Sequence, residues 1–164
     1  MRATWTRLTI GIAFTALCAV ALSVSSTAQA PDPFEGTWKL DVAKSTYKPG
    51  PAPKSLTVAI TAAADKTFKV AVDGVDPEGK PLKVGYTATR DGKDVPVTGS
   101  PAFDTAALTQ TSPNDVTIVY KKGGKPAVTA KASVAKDGKT MTVNYTGTDP
   151  KGQAISNVVL YVKQ

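Results

Sequence analysis

The sequence contains no histidine and a single cysteine, Cys18. Without histidine, neither a Ser-His-Asp nor a Cys-His nucleophile site can be built, and the usual zinc sites lose a principal ligand. One cysteine cannot close a disulfide within the chain. Arginine is scarce too: after Arg2 and Arg7 only Arg90 follows. Beyond residue 30 no stretch sustains a 3.6-residue period, so long helices are not expected. What is present is ordinary globular material, with 41% hydrophobic and 20% charged residues in a length that suits one domain.

The first thirty residues read as an address. Arg2 and Arg7 precede an apolar stretch from Leu8 to Val24, and small residues follow up to Ala30. This charged, apolar, small-residue order is that of a secretory signal peptide. Two cleavage points fit: after Ala30, where Pro31 would follow the cut, and after Ala28. The expected organisation is therefore a signal peptide over 1–30 and a single domain over 31–164, in the periplasm or secreted. Cleavage removes Cys18, Arg2 and Arg7. The 20 basic side chains then become 18 against 13 acidic ones, a net charge of +5. The working protein has neither cysteine nor histidine, although its expected compartment permits disulfides.

After residue 30 apolar and polar residues alternate with period 2, the signature of half-buried strands. Leu56, Val58 and Ile60 form one apolar face; Phe68, Val70 and Val72 another. Leu82, Val84, Tyr86 and Ala88 follow, then Val116, Ile118 and Tyr120, then Val128, Ala130, Ala132 and Val134, then Met141, Val143 and Tyr145. Val158, Leu160 and Val162 are read as the inward face of the last strand. A first strand is expected from about Gly36 to Asp41, a weaker one from Thr105 to Gln110, and a turn or short helix over 41–47. Asp91-Gly92, Gly123-Gly124 and Asp137-Gly138 are hairpin dipeptides. Asp76-Pro77-Glu78-Gly79 and Asp149-Pro150-Lys151-Gly152 carry proline second and glycine fourth, as type I turns do. These two turns belong to an internal echo, since 66–79 and 139–152 match at a constant offset without a gap. The fold expected is all-β: an antiparallel up-and-down barrel of about eight to ten strands, with a sandwich as the alternative.

Gly36-Thr37-Trp38 opens the first strand, and G-x-W at that place resembles the calycin barrels, the lipocalins and their relatives. The resemblance implies that Trp38 plugs one end of the barrel beside Gly36, under a basic residue of the last strand, here Lys163. The longer stretch from Gly36 to Ser55, with 91–94, 96–101 and 137–142, is similar to a group of small exported bacterial proteins with a lipocalin-like domain. The resemblance implies a fold and a compartment and transfers no catalytic residue.

Phe68, Tyr86, Tyr120 and Tyr145 lie on the apolar faces, where they either fill the core or line a cavity. Arg90 follows a strand. It is read either as a grip for a ligand carboxylate or as a rim arginine paired with Asp91 or Asp94. These five are the candidate ligand-binding residues. Asp73, Asp76 and Glu78 lack the spacing of a calcium loop. No metal or cofactor is expected. Seventeen lysines against one arginine after residue 30, spread over polar faces, argue against nucleic-acid binding. Most runs are too short for a membrane barrel, so no stable membrane insertion is expected after signal cleavage. The chain is expected to act as a monomer and without catalysis, binding a small apolar or amphipathic molecule inside the barrel. The alternative is a solid barrel that acts on another protein through the rim loop from Asp91 to Asp104.

Overall fold

Ten strands and short connections account for nearly all of the computed structural model, which describes residues 31–63 and 66–164. The expected signal segment, with Cys18 and both cleavage points, lies outside these residues. The strands are β1 (Gly36–Thr46), β2 (Ser55–Ala62), β3 (Phe68–Val75), β4 (Pro81–Ala88), β5 (Asp91–Pro96), β6 (Thr105–Ser112), β7 (Asp115–Lys122), β8 (Lys125–Val134), β9 (Thr140–Thr148) and β10 (Ala154–Lys163). All pairings are antiparallel, in one sheet of order β4-β3-β2-β1-β10-β9-β8-β7-β6-β5. The meander curls until its first strand lies against its last, which makes a barrel and not a sandwich. β4 and β5 are left as edges. One isolated bridge crosses this gap, from Gly85 of β4 to Thr98 just past the end of β5, which exchange N–H···O bonds of 3.0 and 2.8 Å. The barrel is nearly closed, and this seam is its opening.

Inward positions carry Val58, Val70, Tyr86, Ala88, Ala130, Ala132, Val134 and Val143, all buried. Outward positions of the same strands carry Lys69, Lys83, Thr87 and Lys131, all exposed. An apolar inside and a charged outside is the reverse of a membrane barrel. Among the described residues no helix is long and apolar enough to cross a membrane.

Gly123-Gly124 is the two-residue link of the β7–β8 hairpin. In both D-P-x-G turns the glycine N–H donates to the aspartate carbonyl, at 3.1 Å for Asp76 and 3.0 Å for Asp149. The echo continues beyond the turns. At Gly74 a Cβ would stand 2.2 Å from the Ser55 carbonyl oxygen, and at its counterpart Gly147 the same distance from that of Ala127. Both halves thus bring a neighbouring strand too close for any side chain at the same place in the hairpin.

The sequence reading needs four corrections. β1 continues through the stretch expected as a turn or short helix and reaches Thr46. It bulges after Asp41, where the Ser45 hydroxyl accepts the Leu160 N–H at 3.0 Å and replaces a backbone carbonyl in the ladder. Residues 91–96 form edge strand β5 where a hairpin dipeptide and loop are expected, and a bulge falls at Gly92-Lys93. β6 extends past Gln110 to Ser112. In β10 the inward face is Val159 and Tyr161, 2% and 3% exposed, whereas Val158 is 44% exposed. Register settles the last point: Tyr161 stands opposite Leu40 on one side and Met141 on the other, both buried.

Candidate functional site

One end of the barrel is built around Trp38, which is fully buried. Its indole N–H donates to the Phe34 carbonyl at 2.8 Å. Lys163, its register partner on β10, holds its ammonium 5.0 Å from the ring centroid. The Lys163 stem crosses Gly36, where a Cβ would lie 2.7 Å from its Cε. Gly36, Trp38 and Lys163 are thus together.

Phe34 leads from this plug to Arg90. The Arg90 guanidinium lies 4.8 Å from the Phe34 ring centroid and 3.8 Å from that of Phe68. It donates from Nη1 and Nη2 to the two carboxylate oxygens of Asp32, at 2.5 and 3.0 Å. Its side chain is 7% exposed. The partner is therefore neither of the acids expected: Asp91 pairs with Lys93 and Asp94 with Lys121. Local adjacency favours those two acids in sequence, but the fold brings Asp32 across from 58 residues away.

Above this floor the barrel holds a partly open cavity of about 380 Å³, within the range of small-molecule sites. Its wall is apolar: Leu56, Val58 and Ile60 of β2, Val70 and Val72 of β3, Leu82 and Val84 of β4, Val116 and Ile118 of β7, Met141 and Val143 of β9. Phe68, Tyr86, Arg90, Tyr120 and Tyr145 all line it. The barrel is therefore not packed solid. The sequence reading misses Phe34, Leu108, Tyr161 and the segment 100–103, which also line the cavity. Phe34 carries a signal in its place just before G-x-W. Tyr161 is missed with the misphased β10, the segment 100–103 as a loop without periodicity, and Leu108 because Ala106, Ala107 and Leu108 of β6 are apolar in a row and show no alternation.

The loop between β5 and β6 folds inward at the seam. Thr98 bonds Gly85, and the Val97 N–H donates to the Asp104 carbonyl at 2.8 Å. Asp104 accepts from Lys122 Nζ and the Gly123 N–H, each at 2.7 Å, which holds the loop base to the β7–β8 hairpin. Phe103 stacks on Tyr120, with centroids 4.8 Å apart and planes at 26°.

The polar lining is mostly phenolic. Tyr86 and Tyr120, on strands that are not neighbours in the sheet, meet across the interior with hydroxyls 3.4 Å apart and rings edge to face. Tyr145 and Tyr161 lie within electrostatic reach of each other. Tyr47, outside the cavity lining, interacts electrostatically with both, and its buried hydroxyl has no partner among the described residues. These are all five tyrosines of the chain. Burial pushes the phenols of Tyr47 and Tyr86 up to about 12, and those of Tyr120, Tyr145 and Tyr161 up as well. All stay protonated at any ordinary pH and act as neutral donors. Among the described residues no acid lines the cavity and no three metal-ligating side chains cluster.

No protein-family profile and no curated protein matches the sequence. The structure is similar to solved barrels. The fluorescent protein UnaG is 16% identical, covers 80% of this chain and 97% of its own, and superposes with a TM-score of 0.51. A point mutant of UnaG, at the same identity and coverage of this chain and 96% of its own, gives 0.54. At such identity the likeness speaks for the fold alone, and the fold is a lipocalin-like barrel.

Proposed function

We propose that this chain is an exported, non-enzymatic binding protein that holds one small apolar or amphipathic molecule inside its barrel. The observation that carries the reading is the apolar cavity of about 380 Å³, walled by alternate residues of most strands. Export rests on the charged, apolar, small-residue order of residues 1–30. The absence of histidine and cysteine after residue 30 leaves the interior without the common nucleophiles and bases.

The test is titration with Nile red, a neutral dye that brightens in apolar surroundings. One dye per chain should bind. Ala132→Phe, which pushes a ring into the cavity from β8, should weaken binding at least about tenfold with the barrel intact by circular dichroism. Protein exported by its own host should carry a small molecule by native mass spectrometry. A clean apo mass together with no dye binding would sink the carrier reading. Export is tested by the mass of the mature protein, which should begin at Gln29 or Pro31.

A further inference from the structure

Two features of the cavity bear on the head group of its occupant. The first is that its one positive charge is already used. Asp32 takes the Nη1/Nη2 edge of Arg90 and neutralises its charge, and the Phe34 and Phe68 rings lie against the guanidinium. A ligand carboxylate would have to displace Asp32, or share a cation that Asp32 already neutralises, or lie in an apolar wall without a counter-ion, each of which is unfavourable. The second feature is a surplus of neutral donors. A hydrogen bond between two phenols uses one proton, so the Tyr86–Tyr120 pair keeps a second one. That proton has no protein acceptor among the described residues. Tyr145 lines the cavity as well and supplies a further neutral phenol. Ser100 does not compete for a ligand as an acceptor, because its Oγ already takes the N–H groups of Ala102 and Phe103, each at 3.2 Å.

We propose that the cavity selects an uncharged amphipathic molecule whose hydroxyl, ester or ketone oxygen accepts from the phenols of Tyr86, Tyr120 and Tyr145, and that it rejects the carboxylate of the same chain length. This deepens the carrier reading and rests on it. Burial holds these phenols protonated, so the donor set stays neutral whatever the ligand. A carboxylate would meet donors without a compensating charge. An alcohol or ester loses far less hydration and receives the same donors. Arg90 then serves the barrel floor and not the ligand, which reverses its reading as a carboxylate grip.

The experiment displaces bound Nile red with decanol or with decanoic acid at neutral pH, where the acid is ionised, using protein expressed from the full-length chain. Decanol should displace the dye at a concentration at least about tenfold lower than the acid. In Tyr86→Phe/Tyr120→Phe, decanol should weaken by about threefold to tenfold while the acid changes little, so that selectivity falls. A structural role of the tyrosines alone would move both ligands together and would overturn their assignment as head-group donors. Decanoic acid binding as well as decanol, with its affinity lost in Arg90→Met, would overturn the proposal and return the carboxylate to Arg90. In that case dye binding still stands and the carrier reading survives. If the dye fails to bind at all, both fall.

Discussion

Trp38 and Arg90 are the two residues on which the barrel floor depends, and they depend on different physics. Trp38 is a packing residue: a fully buried indole whose N–H is satisfied by the Phe34 carbonyl. Trp38→Ala should lower unfolding free energy by about 3–5 kcal/mol in urea titration, from the void and the orphaned carbonyl. A loss below about 1 kcal/mol would mean that the indole does not hold the floor. Arg90 is a charge residue, and its effect depends on its partner. Arg90→Met leaves Asp32 without its cation, and Asp32→Asn leaves the guanidinium between two rings without its anion. Each should destabilise by about 2 kcal/mol, less than a wholly buried pair would because the Asp32 side chain keeps 21% of its exposure. The double variant should lose less than the two singles together, by at least about 1 kcal/mol. Strict additivity in that cycle would show that the pair contributes nothing.

Among the elements, the seam between β4 and β5 is held by the fewest backbone bonds, and the inward-folded loop is what covers it. At Gly99 a Cβ would lie 1.9 Å from the Lys83 carbonyl oxygen, so this residue fits only as glycine. Gly99→Ala should push the loop off β4, destabilise by about 1–3 kcal/mol and expose the Gly85 and Thr98 amides to hydrogen exchange. Retained protection at those two amides would show that the loop is not pinned there. The same elements show what the sequence reveals and what it hides. β2, β3, β4, β7, β8 and β9 are legible because each has one apolar and one polar face, and their inward residues supply most of the cavity wall. β5 is hidden because it is a charged edge with one face of its ladder open. The second half of β1 is hidden because it is mostly exposed and joins the ladder through a serine hydroxyl. β10 is visible as a strand, but Val158 to Val162 are apolar without interruption, so alternation cannot fix its phase. Leu40 and Met141 across the ladder fix it instead, which is why Tyr161 is absent from the sequence-based site.

For the molecule as a whole, the tyrosines tie stability to alkaline pH. In the folded chain burial raises the phenol of Tyr86 from 10.0 to about 12, and every other tyrosine shifts the same way. The folded state therefore holds these protons more tightly than the unfolded state. Their contribution is complete below pH 10 and is lost as pH rises through 12 and beyond. Phenolate absorbance should appear together with the loss of tertiary structure above pH 10, not before it. Normal titration of all five in an intact barrel would show that they are not enclosed. The largest-scale feature of the sheet is the β1–β10 pairing that sets Trp38 opposite Lys163. As the chain is synthesised, β1 emerges early and has only β2 to pair with until β10 has followed. Trp38 therefore waits for its cover through the making of nine further strands, and the barrel can complete itself only after β10 is out. Joined through a short linker, β10 and β1 would become one continuous turn of the wall. A circular permutant opened at Gly123-Gly124 would then have its plug assembled in the middle of synthesis.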